Sequence, residues 1–147
     1  MPSGWDADLA AALEELEAAR QDLLETLSGL PDDALERARR GGWPVRRVLQ
    51  HIMGGEWSHV RQITQLRGLD VPPAVPTEPP ASVPDAVQQL NISRRALLAA
   101  LDGVDEATLY RLAPVGREEY SVLSVLENAA HHDREHANQI RSIVASG

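Results

Sequence analysis

The most informative stretch of this 147-residue chain is Asn128-Ala-Ala-His-His-Asp-Arg-Glu-His-Ala-Asn-Gln-Ile140. In an α-helix, His132 and His136 are about one turn apart, so both imidazoles lie on the same face. That face is also the apolar stripe of the predicted helix, which comprises Val122, Leu126, Ala129, His132, His136, Ile140 and Ile143. Because imidazole nitrogen is a good ligand for divalent metals, a histidine pair on the inner face of a helix predicts a metal site.

Apolar residues recur at helical spacing in three further stretches of the chain, so four long helices are predicted. They run from Asp6 to Leu27, from Pro44 to Arg67, from Val83 to Leu101 and from Ser121 to Val144. Pro44 suits a first helical position, and Ser121 suits an N-cap. Two short helices are predicted at residues 31–35 and 105–112. The sequence therefore predicts an all-α four-helix bundle in a single domain, residues 1–147.

Composition supports this fold class. Phe is absent and aromatic residues make up only 3% of the chain, so the core must be built from Leu, Ala, Val and Ile. Leu and Ala are the best helix formers among them. The entries to the second and fourth long helices also resemble each other, as Trp43-Pro-Val-Arg-Arg-Val-Leu49 and Tyr120-Ser-Val-Leu-Ser-Val-Leu126. The likeness hints at two related halves.

A proline-rich connection joins the second and third long helices over residues 68–81. It contains five of the ten prolines, Pro72, Pro73, Pro76, Pro79 and Pro80. No helix tolerates that density of prolines. We interpret the segment as a semi-rigid connector that crosses from one end of the bundle to the other, in preference to a ligand for proline-binding domains.

Charge and cysteine content narrow the possible partners. The net charge is −8, which argues against a nucleic-acid partner. A local basic patch, Arg37, Arg39, Arg40, Arg46 and Arg47, is interpreted as a solvated face. There is no cysteine, so no disulfide and no thiolate of the chain's own is available. With neither a signal peptide nor a membrane-spanning stretch visible, we expect a cytoplasmic protein with no membrane partner.

A third histidine completes the predicted metal site. His51 lies on the inner face of the second long helix, which is a neighbour of the fourth in a bundle. Burying unpaired polar groups costs about 1–3 kcal/mol each, and a shared ion would satisfy His51, His132 and His136 together. Three imidazoles leave a position open for water or substrate, as in catalytic sites. Zinc and nickel are favoured as the divalent metal, and iron or manganese is also acceptable.

Other polar residues near the predicted site receive different interpretations. Glu56 and Gln139 are candidates for orienting the ligating histidines, or else polar residues at the boundary of the apolar face of their helices, and Glu56 is also a candidate catalytic base. His131 points about 100° away from His132 and is not expected to be a ligand. His59, two turns after His51, is expected at the rim of the site or in the core. Residues 133–135, Asp-Arg-Glu, are predicted to form a solvated charged face.

The chain resembles the DinB-like (DinB/YfiT-like) superfamily over essentially its whole length. The resemblance is carried by Trp43-Pro-Val-Arg-Arg-Val-Leu-Gln-His51-Ile52 and by His132-Asp-Arg-Glu-His136-Ala-Asn-Gln-Ile140. The family pattern has one histidine in the second helix and a His-x-x-x-His pair in the fourth. The resemblance therefore assigns the ligand role to His51, His132 and His136, and it implies a four-helix bundle, often dimeric, with a divalent metal in an open pocket.

The resemblance also implies candidate functions. Characterised relatives include thiol S-transferases and isomerases that use bacillithiol or mycothiol, so we expect an enzyme that transfers a low-molecular-weight thiol to a small electrophile. The thiol must be a substrate, because the chain has no cysteine. The alternatives are a metal-dependent hydrolase with Glu56 as base, and a non-catalytic stress-response or binding module. A homodimer is expected, with Leu98 and the outer face of the third long helix as possible contributors.

Overall fold

Four long helices form a bundle in the computed structural model, which describes residues 4–74 and 76–146. The elements are α1 (Gly4–Leu27), a 3-10 helix (Asp32–Glu36), α2 (Val45–Leu66), α3 (Val83–Ala100), α4 (Glu106–Tyr110), β1 (Ala113–Val115), β2 (Glu118–Tyr120) and α5 (Val122–Ser146). Helix α1 packs on α5, and α2 packs on both α3 and α5. The predicted all-α four-helix bundle is confirmed, and every end of a long helix lies within two residues of its predicted position.

The entries to α2 and α5 show why these helices begin where they do. Pro44 has an extended backbone and precedes α2, so the prediction that it is the first helical residue was wrong by one position. Ser121 is an N-cap as predicted, because its Oγ accepts a hydrogen bond from the backbone N–H of Ser124 (3.1 Å). The Ser124 hydroxyl reciprocates by accepting from the Ser121 N–H (2.9 Å). The two similar entries bury the same apolar positions, namely Val45, Val48, Leu49, Val122, Val125 and Leu126.

A small antiparallel hairpin between α4 and α5 was not predicted. It pairs Ala113 with Tyr120 and Val115 with Glu118. Gly116, which begins the two-residue turn, has a φ of 69°, a conformation that glycine adopts without steric cost. Each strand has three residues, too few to show the alternation by which a strand is recognised in sequence.

The proline-rich connector lies along α2. In the part of residues 68–81 that the structure describes, there is no helix beyond the turn that ends α2. Side chains of α2 donate hydrogen bonds to connector carbonyls: Gln50 to Thr77 (2.7 Å), Arg61 to Pro72 (3.1 Å) and Arg46 to Pro80.

Within residues 4–74 and 76–146, no helix combines the length and apolar character needed to cross a membrane.

The core consists of two apolar clusters with charged residues at the level between them. On α1, Leu16 belongs to one cluster and Leu23 to the other, and Arg20 lies between them. On the other three long helices, the buried apolar residues before and after the charged residue likewise belong to different clusters; the charged residues are Glu56 on α2, Arg94 on α3 and Asp133 on α5. Each long helix therefore contributes one buried charge to the middle of the bundle, two positive and two negative.

Candidate metal centre

The three predicted histidines converge where α2 faces α5. One ring nitrogen from each of His51, His132 and His136 lies within 4.8 Å of the other two. The Nε2 atoms of His51 and His132 are 3.2 Å apart. The three ring centroids are separated by 4.4–5.0 Å. The structure thus brings together all three residues that the sequence proposed, from positions more than 80 residues apart.

The spacing of these nitrogens suits a divalent ion. Two nitrogens bound to one tetrahedral zinc at about 2.05 Å lie about 3.3 Å apart. The His51–His132 pair is close to that separation, and the other nitrogens lie no farther apart than 4.8 Å. Among the residues that the structure describes, no carboxylate belongs to this group of donors. Three neutral nitrogen donors fit zinc, nickel or iron better than magnesium or calcium, which prefer oxygen.

His136 is oriented by its neighbour on the next turn of α5. Its Nδ1 lies 2.7 Å from the side-chain oxygen of Gln139. An amide oxygen only accepts, so Nδ1–H is the donor and the lone pair of the neutral ring is on Nε2. An outer partner of this kind fixes the tautomer of a metal-binding histidine. Of the two interpretations of Gln139 in the sequence, this contact favours the one in which it orients a histidine.

His132 is accommodated by a glycine on the facing helix. A Cβ atom on Gly55 would lie 2.7 Å from Cε1 of His132, closer than real side chains approach. Helix α2 therefore presents bare backbone to the His132 ring. Only the packing of α5 against α2 reveals why a side chain is excluded at position 55.

Burial favours the neutral form of two of the three imidazoles, those of His132 and His51. Burial lowers the pKa of His132 to about 4, and the charges that His136, His59 and His51 carry when protonated act in the same direction. Burial and the nearby His136 also lower the pKa of His51. Neutral imidazole is the form that binds metal.

The three histidines differ in their exposure to solvent. His51 was expected to face the interior, yet it is exposed, whereas His132 and His136 are half-buried. The group therefore opens to solvent beside His51.

The two other histidines are outside the group of donors. His131 is exposed on α5 and lies 3.6 Å from the carboxylate of Glu135. The ring of His59 is half-buried and its centroid lies 5.8 Å from that of His132, which places it behind that ring. The exposed position of His131 agrees with its direction on the helix, and His59 lies beside the site, as one of its two interpretations proposed.

A buried ion network lies between the helices at the level of the charged layer. The Arg20 guanidinium donates to Asp133 (2.9 Å) and to Glu56 (2.9 Å). The Arg94 guanidinium makes the corresponding bonds, to Glu56 (2.8 Å) and to Asp133 (3.1 Å). The prediction that Asp133 belongs to a solvated face was wrong: only 3% of it is exposed. It lies on the flank of α5 that packs against α1, beside the histidine stripe.

Glu56 belongs to this network and not to the histidine group. Its carboxylate accepts from both arginines on one oxygen and from the hydroxyl of Ser93 on the other. Burial alone would raise the pKa of Glu56, but the charges of Arg20 and Arg94 outweigh that effect and lower it. A carboxylate that is held by three donors and has a lowered pKa is a weak base, which disfavours the catalytic role proposed for it.

The network had a visible signal in the sequence. Arg20 interrupts the apolar stripe between Leu16 and Leu23, and Arg94 interrupts the stripe between Leu90 and Leu97. Charged residues at core positions must be paired if they are buried. Two arginines and two carboxylates at such positions, one on each long helix, predict a charged layer.

The chain is similar to known proteins in both sequence and fold. The sequence profile of the DinB superfamily matches residues 2–63 and 15–140. Among solved structures, TT2238, a four-helix bundle protein, is 26% identical with a TM-score of 0.69, covering 90% of this chain and 96% of its own. A DinB-like protein from Bacillus cereus ATCC 10987 is 18% identical with a TM-score of 0.70, covering 96% of this chain and 91% of its own. That second likeness concerns the fold alone.

No curated protein matches the chain. The longer of the two profile matches, residues 15–140, nevertheless spans well over half of the sequence. This protein belongs to the DinB superfamily.

Proposed function

We propose that the protein is a divalent-metal-dependent enzyme that transfers a low-molecular-weight thiol to a small electrophile. The observation that carries the proposal is the convergence of His51, His132 and His136 within 4.8 Å, at a place open to solvent. Zinc or nickel is the preferred metal, and iron or manganese also suits the donor set. Membership of the DinB superfamily supports the choice of reaction.

The three imidazoles would fill three positions around the ion and leave the exposed side, near His51, to the substrate. A divalent cation held there would lower the pKa of a thiol that coordinates it, so that the sulfur is nucleophilic at neutral pH. In such a reaction the thiol proton would pass to solvent, and the sulfur would bond to an electrophilic carbon whose leaving group departs with the electrons of the broken bond. Gln139 keeps Nε2 of His136 free for coordination throughout.

The chain itself supplies no sulfur nucleophile, since it contains no cysteine. The thiol must therefore arrive as a second substrate, and no mixed disulfide with the protein can form. Metal-dependent hydrolysis is less well supported, because Glu56, the carboxylate proposed as its base, is occupied by Arg20, Arg94 and Ser93.

The test combines metal analysis with thiol consumption. We expect about one divalent ion per chain, retained in His131→Ala and largely lost in His136→Ala. His131 is a matched control because it lies on the same helix but outside the group. With 1-chloro-2,4-dinitrobenzene as electrophile and glutathione, bacillithiol or mycothiol as thiol, we expect a rate that requires both metal and His136.

Three results would contradict the proposal. A protein that binds no divalent ion would have no metal centre, and a metal-loaded protein that consumes none of the thiols would not be a transferase. Metal-dependent product formation without any thiol would instead identify a hydrolase.

A further inference from the structure

A small pocket adjoins the histidine group where residues 39–43 face the end of α5. Its volume is about 220 Å³. Two of its lining residues contact the histidines. The ring centroids of Trp43 and His51 are 5.5 Å apart, and Gln139 accepts a hydrogen bond from His136. The lining residues are Arg39, Gly42, Trp43, Gln139, Ser142 and Ile143. Pockets that hold a whole drug-sized ligand measure roughly 300–1,000 Å³, so this one suits a terminal group of a substrate.

The charge around the pocket is opposite to that of the protein as a whole. Residues 37–47 contain five arginines and no acidic residue, in a chain whose net charge is −8. One of them, Arg46, is paired with Glu36. Another, Arg47, lies with its guanidinium carbon 4.5 Å from the centre of the Trp43 ring. A concentration of positive charge beside a binding site attracts anionic ligands.

Arg39 is the arginine that lines the pocket, and among the described residues no carboxylate forms an ion pair with it. In the part of the chain that the structure describes, the hydrogen-bond partner of its guanidinium is the hydroxyl of Ser142, at 3.0 Å. Arg134 and Arg141, by contrast, are paired with Glu15 and Asp22. A guanidinium that gives one N–H to a neutral hydroxyl retains others for a carboxylate, which it binds in a two-pronged geometry.

We propose that the thiol substrate is an anion whose carboxylate is held by Arg39 in this pocket while its sulfur reaches the histidine group. The inference rests on the proposed function and specifies the class of thiol. Arg37, Arg39 and Arg40 are all exposed, as the solvated face predicted from the sequence requires. Arg39 differs from the other two because it lines the pocket and donates a hydrogen bond to Ser142 on α5.

The experiment compares thiols that differ only in charge. Cobalt-loaded protein is titrated with mercaptoacetate, 3-mercaptopropionate and 4-mercaptobutyrate, each beside the neutral mercaptoalcohol of equal length, and thiol binding is followed by the near-ultraviolet absorption of cobalt. We expect at least one acid to bind about tenfold more tightly than its neutral counterpart, as one charge-assisted contact would give. Arg39→Gln should abolish that preference and leave the affinity for the neutral thiols unchanged.

Arg95→Gln is the matched control, because Arg95 is exposed on α3, which contributes no residue to the pocket. It should retain the preference for acids. If cobalt binds but acids and alcohols bind equally, the anion proposal is wrong and the metal centre stands.

A second arm needs no metal. Propionate is titrated into the metal-free protein at low ionic strength, and the indole N–H resonance of Trp43, assigned with Trp43→Phe, is followed by NMR. We expect a shift that Arg39→Gln removes. Absence of any shift would overturn the anion pocket even if no metal binds, whereas failure to bind cobalt would overturn the proposed function.

Discussion

Gly55 of α2 lies against the imidazole of His132 on α5, so closely that a Cβ atom at position 55 would be 2.7 Å from Cε1 of the ring. Replacing a mid-helix glycine by alanine normally stabilises a helix by about 0.5–1 kcal/mol. We expect Gly55→Ala to displace the His132 ring instead and to weaken zinc affinity by at least about tenfold, as loss of ligand positioning does. A competition titration with a chromophoric chelator measures this.

Gly54 provides the control for that variant. A Cβ atom there would meet Oγ1 of Thr77 in the connector at 3.3 Å and no histidine. Gly54→Ala should therefore leave zinc affinity unchanged. Equal affinities for the two alanine variants would show that the close approach of Gly55 is unimportant for the site.

The buried network makes a prediction about stability. Arg20→Met would leave Glu56 and Asp133 with one guanidinium between them. Removing one partner of a buried ion pair typically costs about 3–5 kcal/mol, because a charge remains buried without compensation. We expect a loss of that size in the free energy of unfolding, measured with urea at pH 7. Arg134→Met, which removes the exposed pair with Glu15, should change it little.

Acid should destabilise the fold through Glu56. Its pKa is lowered in the folded state relative to the ordinary value of 4.5. A carboxylate of this kind stabilises the fold above its unfolded pKa, and the contribution is lost as the pH falls through its folded pKa. We expect the unfolding free energy of the metal-free protein to fall below about pH 4.5.

Glu56→Gln isolates this contribution, which is needed because His132 also titrates. The pKa of His132 is lowered from 6.5 to about 4 in the folded state. As the pH falls through that range, His132 takes up a proton in the unfolded chain before it does so in the folded one, so the free energy of unfolding decreases. The difference in stability between the parent and Glu56→Gln should be constant above pH 5 and should shrink below about pH 4.5. A difference that is independent of pH down to 3 would contradict the assignment.

Helical periodicity predicted much of this molecule. The spacing of His132 and His136 and the position of His51 on an apolar stripe were sufficient to predict that the three residues converge. The same reasoning failed for Asp133. Periodicity shows which face of a helix is buried, but it does not show how far around the helix its neighbours extend that burial. The ion pairs of Glu56 were missed for a related reason: its partners, Arg20 and Arg94, come from helices whose positions around α2 no local pattern specifies.

The expected homodimer stays a prediction. Leu98 on α3 is 46% exposed and Ile92 is 42% exposed, so α3 presents apolar side chains to solvent. If this face contacts a second copy, multi-angle light scattering should give twice the 16.0 kDa chain mass, and Leu98→Asp should shift the protein toward the monomer. A monomer at micromolar concentration would contradict the expectation.

Gln139 should control metal affinity without being a ligand. Its side-chain oxygen accepts from Nδ1–H of His136 at 2.7 Å and so keeps the lone pair on Nε2. Gln139→Leu removes the acceptor, and loss of such a partner typically lowers metal affinity about 10–100-fold. Gln139→Glu retains an acceptor oxygen and should bind zinc at least as tightly as the parent. Asn138→Ala, at an exposed position whose amide contacts Arg141, should have no effect. If Gln139→Leu binds zinc like the parent, the orientation of His136 must be maintained by the packing of α5 and not by this hydrogen bond.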